Sequence, residues 1–196
     1  MAKNAQRRVV VTGVGLVTPL GTGTEKTWQG LMNGQSGIGL ITRFDASAHS
    51  CQIAAEVKDF TPALWFEKKQ AKHLDHFVQY GIAAADMAVK ASGLEISEEL
   101  ADRIGVITGC GMGGLPTIEE YHSVLLNRGP RRITPFLVPR MIPNMPSGHI
   151  SMHVNAKGPN LALSTACAAG THAVGETYRH IVFGDCDAAI TGGTES

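Results

Sequence analysis

Hydrophobic and polar positions along the chain follow two patterns, short β-branched runs and longer segments with helical spacing. The short apolar runs predict buried strands at residues 8–13, 104–108, 160–165 and 188–191. Apolar residues repeated every three or four positions predict helices at residues 22–34, 69–92, 118–127 and 168–183. Strands that alternate with helices indicate an α/β fold with a mostly parallel sheet.

Two of the predicted helices carry further detail. In the first, Trp28, Leu31 and Met32 share one helical face. The segment 69–92 has the strongest helical spacing, and Gly93 stands where a helix C-terminus favours glycine. The pattern therefore predicts one long helix that ends at residue 92.

Composition restricts the class of protein. The 196 residues include 17 Lys and Arg against 17 Asp and Glu, and 43% are hydrophobic. This balance argues against disorder and against whole-surface attraction to nucleic acid or an anionic membrane. Because the sequence has no apolar run of about 18 residues and no signal peptide core, we expect a cytoplasmic protein without nucleic acid or membrane partners.

The cysteines and histidines do not form a metal motif. His149 and His153 lie four residues apart, and two ligands without a third make a poor zinc site. The four cysteines form no C-x-x-C pair, which argues against a zinc site, and they are too sparse for a disulfide scaffold. We therefore expect no metal, and free thiols at Cys51, Cys110, Cys167 and Cys186.

Cys167 is the strongest candidate for chemistry. It lies where a predicted strand passes into a predicted helix, and its neighbours Ala166, Ala168 and Gly170 are small. A thiol at a helix N-terminus faces unpaired N–H groups and the positive end of the helix dipole, and both favour the thiolate nucleophile. The alternative from position alone is a small buried cysteine, which most free cysteines are.

Several motifs in one order resemble the β-ketoacyl-acyl carrier protein synthases, from about residue 7 to residue 196. The resemblance is closest to the type II condensing enzymes of bacterial fatty acid elongation, and it implies a thiolase-like layered fold built from two related halves. The matching motifs are RVVVTGVG at 8–15, GCGMGG at 109–114, Pro135-Phe136, Asn144-Met145, TACAAG at 165–170 and GGTE at 192–195.

The resemblance also implies a reaction and its partners. Cys167 would accept an acyl group from acyl carrier protein as a thioester, and malonyl-acyl carrier protein would then lose carbon dioxide and attack it. The resemblance implies a homodimer and no cofactor. None of the eight histidines lies in the family's histidine motifs, and the chain stops directly after a predicted strand. We therefore expect residues 1–196 to be an N-terminal half that does not catalyse the condensation alone.

Met112 and Phe136 match family positions in the acyl-binding region. The resemblance implies that Met112 lines the acyl chain and that Phe136 lies near the far end of the pocket and the dimer interface. The alternative for both is an ordinary core side chain, since methionine commonly fills core gaps. Phe136 belongs to a segment, 130–146, that holds five of the nine prolines and is apolar enough to predict ordered packing rather than a linker.

Four cations match positions at which the family docks its acidic carrier protein. They are Lys69, Lys72, Arg131 and Arg132. Basic residues at the rim of an interface would steer an acidic partner and raise its association rate. The alternative for each one is solvated surface charge.

Other functions remain open at this stage. Residues 109–114 satisfy G-x-G-x-x-G, but Pro116 interrupts the helix that a dinucleotide site needs. A cysteine protease would need His172 or His180 as base, with an orienting Asn or Asp that is not recognisable. The remaining alternatives are a thiolase, a polyketide ketosynthase subunit and a non-catalytic partner of the chain-length-factor type, and the last of these lacks the nucleophile.

Overall fold

A computed structural model describes residues 7–196, so the first six residues of the predicted unit 1–196 lie outside the described residues. The strands are β1 Val17–Thr18, β2 Gly21–Thr22, β3 Ile38–Leu40, β4 Ile53–Ala55, β5 Ile104–Gly109, β6 Asn160–Leu163 and β7 Ala188–Gly193. The α-helices are α1 Thr24–Met32, α2 Lys68–Ala71, α3 His76–Ser92, α4 Glu98–Ala101, α5 Leu115–Arg128, α6 Leu137–Met141, α7 Met145–Val154 and α8 Ala169–Phe183. Single 3₁₀ turns occupy Pro62–Leu64, Pro130–Arg132 and Ala166–Ala168.

A three-stranded parallel sheet with the order β6-β5-β7 forms the centre. β5 is buried along its whole length, as its mostly apolar sequence predicts. In register, Ile107 pairs with Leu161 on one side and with Thr191 on the other. The predicted α/β fold with a parallel sheet is therefore confirmed, and the carboxyl ends of all three strands meet at one edge.

Helices cover the two faces of this sheet. Ile104 and Val106 of β5 belong to a core cluster with Phe77, Ile82 and Ile150 of α3 and α7. Since side chains alternate along a strand, the residues between them face the other side. There α8 packs along the three strands with its buried small residues. The core thus fixes the start of α8 at the carboxyl edge of the sheet.

The prediction of a buried strand at residues 8–13 is wrong for residues 7–196. Val10 and Val11 are 61% and 82% exposed, and no described strand pairs with this segment. It runs instead along α3, where a Cβ on Gly15 would lie 2.0 Å from the carbonyl oxygen of Ala84. A β-branched run supplies strand propensity, but a strand also needs a partner for its backbone groups.

The predicted helix at 69–92 is two helices, α2 and α3, separated at residues 72–75. The interruption turns the chain so that Leu74 and Asp75 are buried. The predicted end is confirmed, because Gly93 adopts a left-handed φ of 68° directly after Ser92.

In α1, the face shared by Trp28 and its apolar neighbours is exposed, and the helix buries other residues.

Residues 7–196 contain neither a membrane-spanning helix nor a cluster of metal ligands. No helix in this range combines the length and the hydropathy that a membrane span needs. In the same range, no three side chains of His, Cys, Asp or Glu converge to form a metal-ligand cluster. His149 and His153 both lie on α7, and burial lowers the pKa of His149.

Candidate active site at the carboxyl edge of the sheet

Cys167 lies at the junction between β6 and α8, in a 3₁₀ turn at Ala166–Ala168 that leads directly into the helix. Its side chain is exposed. Ala166, the residue before it, has a backbone φ of 51°, which residues other than glycine rarely adopt. The thiol therefore projects into solvent from a strained turn at the amino end of a 15-residue helix. The predicted geometry is present, while the role of Cys167 stays a prediction.

Three glycines let α8 approach the sheet closely. A Cβ on Gly109, the last residue of β5, would lie 2.2 Å from the carbonyl oxygen of Ala169. At the end of β7, a Cβ on Gly193 would lie 3.0 Å from the Cα of Gly170. Only glycine fits such backbone contacts, so the sequence fixes the first turn of α8, and with it Cys167, against the strand ends.

Two side-chain hydrogen bonds bracket the cysteine turn. The Ser164 hydroxyl donates to the carbonyl oxygen of Gly111 over 3.1 Å. Thr165 Oγ1 lies 2.7 Å from His172 Nδ1, which joins the residue two positions before the cysteine to the first turns of α8. Sequence reasoning missed both contacts, because each depends on how the turn is folded.

Glu195 binds the glycine-rich turn after β5. Its Oε2 accepts the backbone N–H groups of Gly111 and Met112 over 2.7 and 2.9 Å, and its Oε1 accepts that of Gly113 over 3.1 Å. Sequence reasoning placed Glu195 in the GGTE motif but gave it no role. The available signal was position: Glu195 follows β7 as the turn follows β5, and parallel strand ends meet at one edge.

The buried cysteines differ from Cys167. Burial raises the pKa of Cys110 to about 12, and the nearby Glu195 carboxylate contributes to the increase. Burial also raises the pKa of Cys186. Both thiols therefore stay protonated at neutral pH and are poor nucleophiles. Cys51 and Cys167 are the two exposed cysteines among the described residues.

Met112 and Phe136 both lie at the surface, so neither is a core side chain within residues 7–196. Met112 is 63% exposed, and its turn lies next to Ala166, since a Cβ added to Gly111 would lie 3.5 Å from the Cα of that residue. Phe136 is 42% exposed, and its ring stacks on that of His73 at a centroid distance of 4.0 Å. Met112 is thus placed beside the cysteine turn, and Phe136 lies on a different segment.

The four candidate docking cations are exposed and lie on two segments. Lys69 and Lys72 lie within and directly after α2, while Arg131 and Arg132 lie in the 3₁₀ turn at Pro130–Arg132. The stack of His73 on Phe136 brings these two segments together. The structure therefore places two cations on each of two segments that meet at this stack, apart from the segments that form the cysteine turn.

Two cavities lie away from Cys167. One, of about 580 Å³, lies between residues 11–14 and the end of α3. The other, of about 280 Å³, is lined by Lys72, Asp75, Gln79 and Arg140 among others. Neither is lined by Cys167, whose thiol is exposed at the strand ends.

Comparison with known sequences decides the family. The profile of the "Beta-ketoacyl synthase, N-terminal domain" matches residues 6–196, nearly the whole chain. The chain belongs to the β-ketoacyl synthase family. The resemblance drawn from the motifs is thereby confirmed.

Curated relatives of this β-ketoacyl synthase chain are bacterial. It is 46% identical over 196 residues to the 3-oxoacyl-[acyl-carrier-protein] synthase 2 of Synechocystis, covering 100% of this chain and 47% of that protein. It is 50% identical over 190 residues to the protein of the same name in Coxiella burnetii, covering 97% and 46% of the two. The chain thus spans about half the length of the curated relatives it matches.

Solved ketosynthase structures share the fold. The ishigamide ketosynthase/chain length factor matches with a TM-score of 0.84 at 36% identity, over 98% of this chain and 48% of the other. A type II polyketide acyl-carrier protein in complex with its ketosynthase matches with a TM-score of 0.82 at 25% identity, over 97% and 51%. The predicted thiolase-like fold is therefore confirmed.

Proposed function

We propose that the protein to which this chain belongs is a 3-oxoacyl-[acyl-carrier-protein] synthase of fatty acid elongation in which Cys167 accepts the acyl group. The observation that carries the proposal is the exposed Cys167 thiol in the turn that leads into α8. The curated relatives at 46% and 50% identity carry that enzyme name. The proposed protein is a homodimer that takes its acyl and malonyl groups from acyl carrier protein.

The proposed reaction has two halves and needs no redox cofactor. The Cys167 thiolate attacks the carbonyl carbon of an acyl thioester, a C–S bond to cysteine forms, the C–S bond to the carrier breaks, and the carrier thiol takes up a proton. Malonyl-acyl carrier protein then loses carbon dioxide, and the resulting carbanion attacks the acyl carbon and expels the Cys167 thiolate. A thiolate suits both halves because it is a good nucleophile and a good leaving group.

Charge that develops on the acyl oxygen needs donors in fixed positions. We assign one of them to the backbone N–H of Cys167, which lies at the positive end of the α8 dipole. Within the described residues, His172 is engaged by Thr165 and His180 by Asp185. Because the chain spans about half the length of its curated relatives, we propose that residues outside these 196 supply the donors to the malonyl carbonyl, and that this chain alone does not complete the condensation.

Met112, Phe136 and the four cations have proposed roles in binding. Met112 forms a wall for the acyl chain, because its turn lies next to the residue before Cys167. Phe136 is proposed to contribute to the acyl pocket. Lys69, Lys72, Arg131 and Arg132 are proposed to dock the acidic carrier protein, and their exposure together with the His73–Phe136 stack supports one shared surface.

Mass spectrometry of the intact chain tests the first half-reaction. After incubation with an acyl carrier thioester, or with an epoxide of the cerulenin type, we expect one adduct on the peptide that contains Cys167. Cys167→Ala should abolish the adduct. Cys51→Ala is the matched control, because Cys51 is the other exposed cysteine among the described residues, and it should leave the adduct in place. An adduct on another cysteine, or equal labelling of both exposed thiols, would contradict the proposal.

A polyketide ketosynthase subunit is the second candidate. Its support is the structural match to a type II polyketide ketosynthase complex at 25% identity and to a ketosynthase/chain length factor at 36% identity. The fatty acid enzymes at 46% and 50% are closer in sequence, which favours elongation of fatty acids. A chain-length-factor role is disfavoured by the presence of Cys167. Acylation by simple saturated thioesters in preference to polyketide intermediates would favour the fatty acid enzyme over the polyketide subunit.

A further inference from the structure

The carboxylate of Glu195 is the point at which the glycine-rich turn 110–114 is attached to the end of β7. Three successive backbone N–H groups, from Gly111 to Gly113, converge on its two oxygens. The Cys110 thiol lies 3.4 Å from Oε1 and supplies a further donor. Successive amides that point at one anion form a concave nest, which a carboxylate fills because it only accepts.

The rest of the turn leaves little freedom for an alternative path. The N–H of Gly114 donates to the carbonyl oxygen of Met141 over 3.0 Å. Gly113 has a φ of 81°, and a Cβ there would lie 2.3 Å from the same carbonyl oxygen. On the opposite side, Ser164 donates to the carbonyl oxygen of Gly111. The turn is therefore held between Glu195, the segment 130–146 that contains Met141, and the strand that leads to Cys167.

Met112 carries the only large side chain at the exposed tip of this turn. Its N–H is one of the three backbone donors to Glu195, and its side chain is 63% exposed. Because Ser164 donates to the carbonyl oxygen of Gly111, the turn is tied to the segment that leads to Cys167, and a displacement of its backbone moves Met112 relative to Cys167.

We infer that Glu195 is a positioning residue that sets the place of Met112 beside Cys167 and so determines the length of chain that can react there. The inference deepens the proposed function, and the biological meaning of the inference rests on that function. The chemical change that isolates the effect is Glu195→Gln. A glutamine amide keeps one acceptor oxygen and directs an NH₂ donor at N–H groups that are themselves donors.

The test measures how fast Cys167 reacts with a series of N-alkyl iodoacetamides from methyl to octyl, followed by mass spectrometry. We expect Glu195→Gln to change the octyl-to-methyl rate ratio by roughly tenfold, the discrimination that a methylene or two against a side-chain wall provides. The rate with the methyl reagent should change little. In Met112→Ala, the ratio should change comparably, and adding Glu195→Gln should have no further effect.

Two controls separate positioning from general loss of structure. Glu119→Gln makes the same chemical change at an exposed site on α5 and should leave the ratio unchanged. Amide hydrogen exchange should accelerate at residues 111–113 in Glu195→Gln and remain slow in β5. If Glu195→Gln leaves the ratio unchanged, or shifts it equally in the Met112→Ala background, the inference is overturned.

The alkylation series does not depend on acyl transfer. A chain that shows the expected ratios but takes no acyl group from a carrier thioester would refute the proposed function and retain the positioning role of Glu195. A chain that is acylated at Cys167 but shows no Met112-dependent effect of Glu195→Gln would refute only the positioning role.

Discussion

The backbone of Gly109 contacts the backbone of Ala169 with no room for a side chain between them. A Cβ on Gly109 would lie 2.2 Å from the Ala169 carbonyl oxygen and 2.5 Å from the Gly170 nitrogen. This contact joins the end of the buried central strand to the start of α8. It therefore fixes the height of the candidate nucleophile above the sheet edge.

Gly109→Ala should destabilise the protein by about 3 kcal/mol, because two backbone segments must separate to admit a methyl group. The displacement of α8 should also slow acylation of Cys167. Urea unfolding followed by circular dichroism gives the first quantity, and mass spectrometry of the adduct gives the second.

Gly175→Ala is the matched control, since a Cβ at this position inside α8 meets no atom within 4 Å. It should stabilise the protein by about 1 kcal/mol through helix propensity. A neutral Gly109→Ala, or equal effects of the two substitutions, would contradict the contact.

The sequence reveals the sheet better than the site, for physical reasons. β5 is predictable because a strand buried on both faces is apolar throughout. Residues 8–13 have the same local pattern, but no local pattern states whether a partner strand is present. The junction of strand and helix at Cys167 is also visible in the local pattern, whereas the role of acyl acceptor proposed for Cys167 came from a family resemblance.

Contacts distant in sequence explain what remained hidden. Glu195 lies more than 80 residues from the amides that it binds, as does Thr194 from the Phe77 carbonyl that accepts its hydroxyl. Neither pairing leaves a periodic or compositional signal. Knowing that the sheet is parallel narrows the search to the residues after each strand, and identifying the partner still requires coordinates.

A buried hydroxyl–carboxylate pair should contribute measurably to stability. Asp75 is 4% exposed and Thr117 is 1% exposed, and the Thr117 hydroxyl donates to Asp75 Oδ2. Thr117→Val should cost about 2 kcal/mol, because it removes a hydrogen bond to a buried charge. Thermal or urea unfolding measures the loss.

Thr117→Ser is the control for that prediction, because it keeps the hydroxyl and loses only a methyl group, worth about 1 kcal/mol. If Thr117→Ser proves as damaging as Thr117→Val, then packing and not the hydrogen bond accounts for the effect.

Stability should fall in acid partly through Asp187. Hydrogen bonds from Arg103 and then Arg7 hold the pKa of Asp187 well below its ordinary value of 3.8. A depressed folded-state pKa adds stability that is complete above the unfolded value and is lost as the pH falls towards the folded value.

Asp187→Asn should therefore lower Tm at pH 7, and the gap to the unmodified protein should narrow steadily below about pH 4. Differential scanning calorimetry across pH 2.5–7 measures the gap, and Glu119→Gln serves as a surface carboxylate control. A gap that stays constant or widens in acid would show that the Arg103–Asp187 pair does not contribute in this way.

Charge reversal at Arg131 and Arg132 should impair reaction with carrier-bound substrate in particular. Both side chains are exposed in one 3₁₀ turn, where they would steer an acidic partner without touching the acyl group. Arg131→Glu with Arg132→Glu should raise the apparent KM for acyl carrier thioester about tenfold, mainly through slower association.

Small soluble thioesters carry no protein to steer, so their rate of transfer to Cys167 should stay the same in the double variant. The effect on carrier-bound substrate should also weaken as salt rises, because surface charges are screened. Lys58→Glu with Arg179→Glu makes the same change in net charge elsewhere on the surface. If that control pair is equally impaired, total charge and not a docking surface at Pro130–Arg132 governs carrier binding.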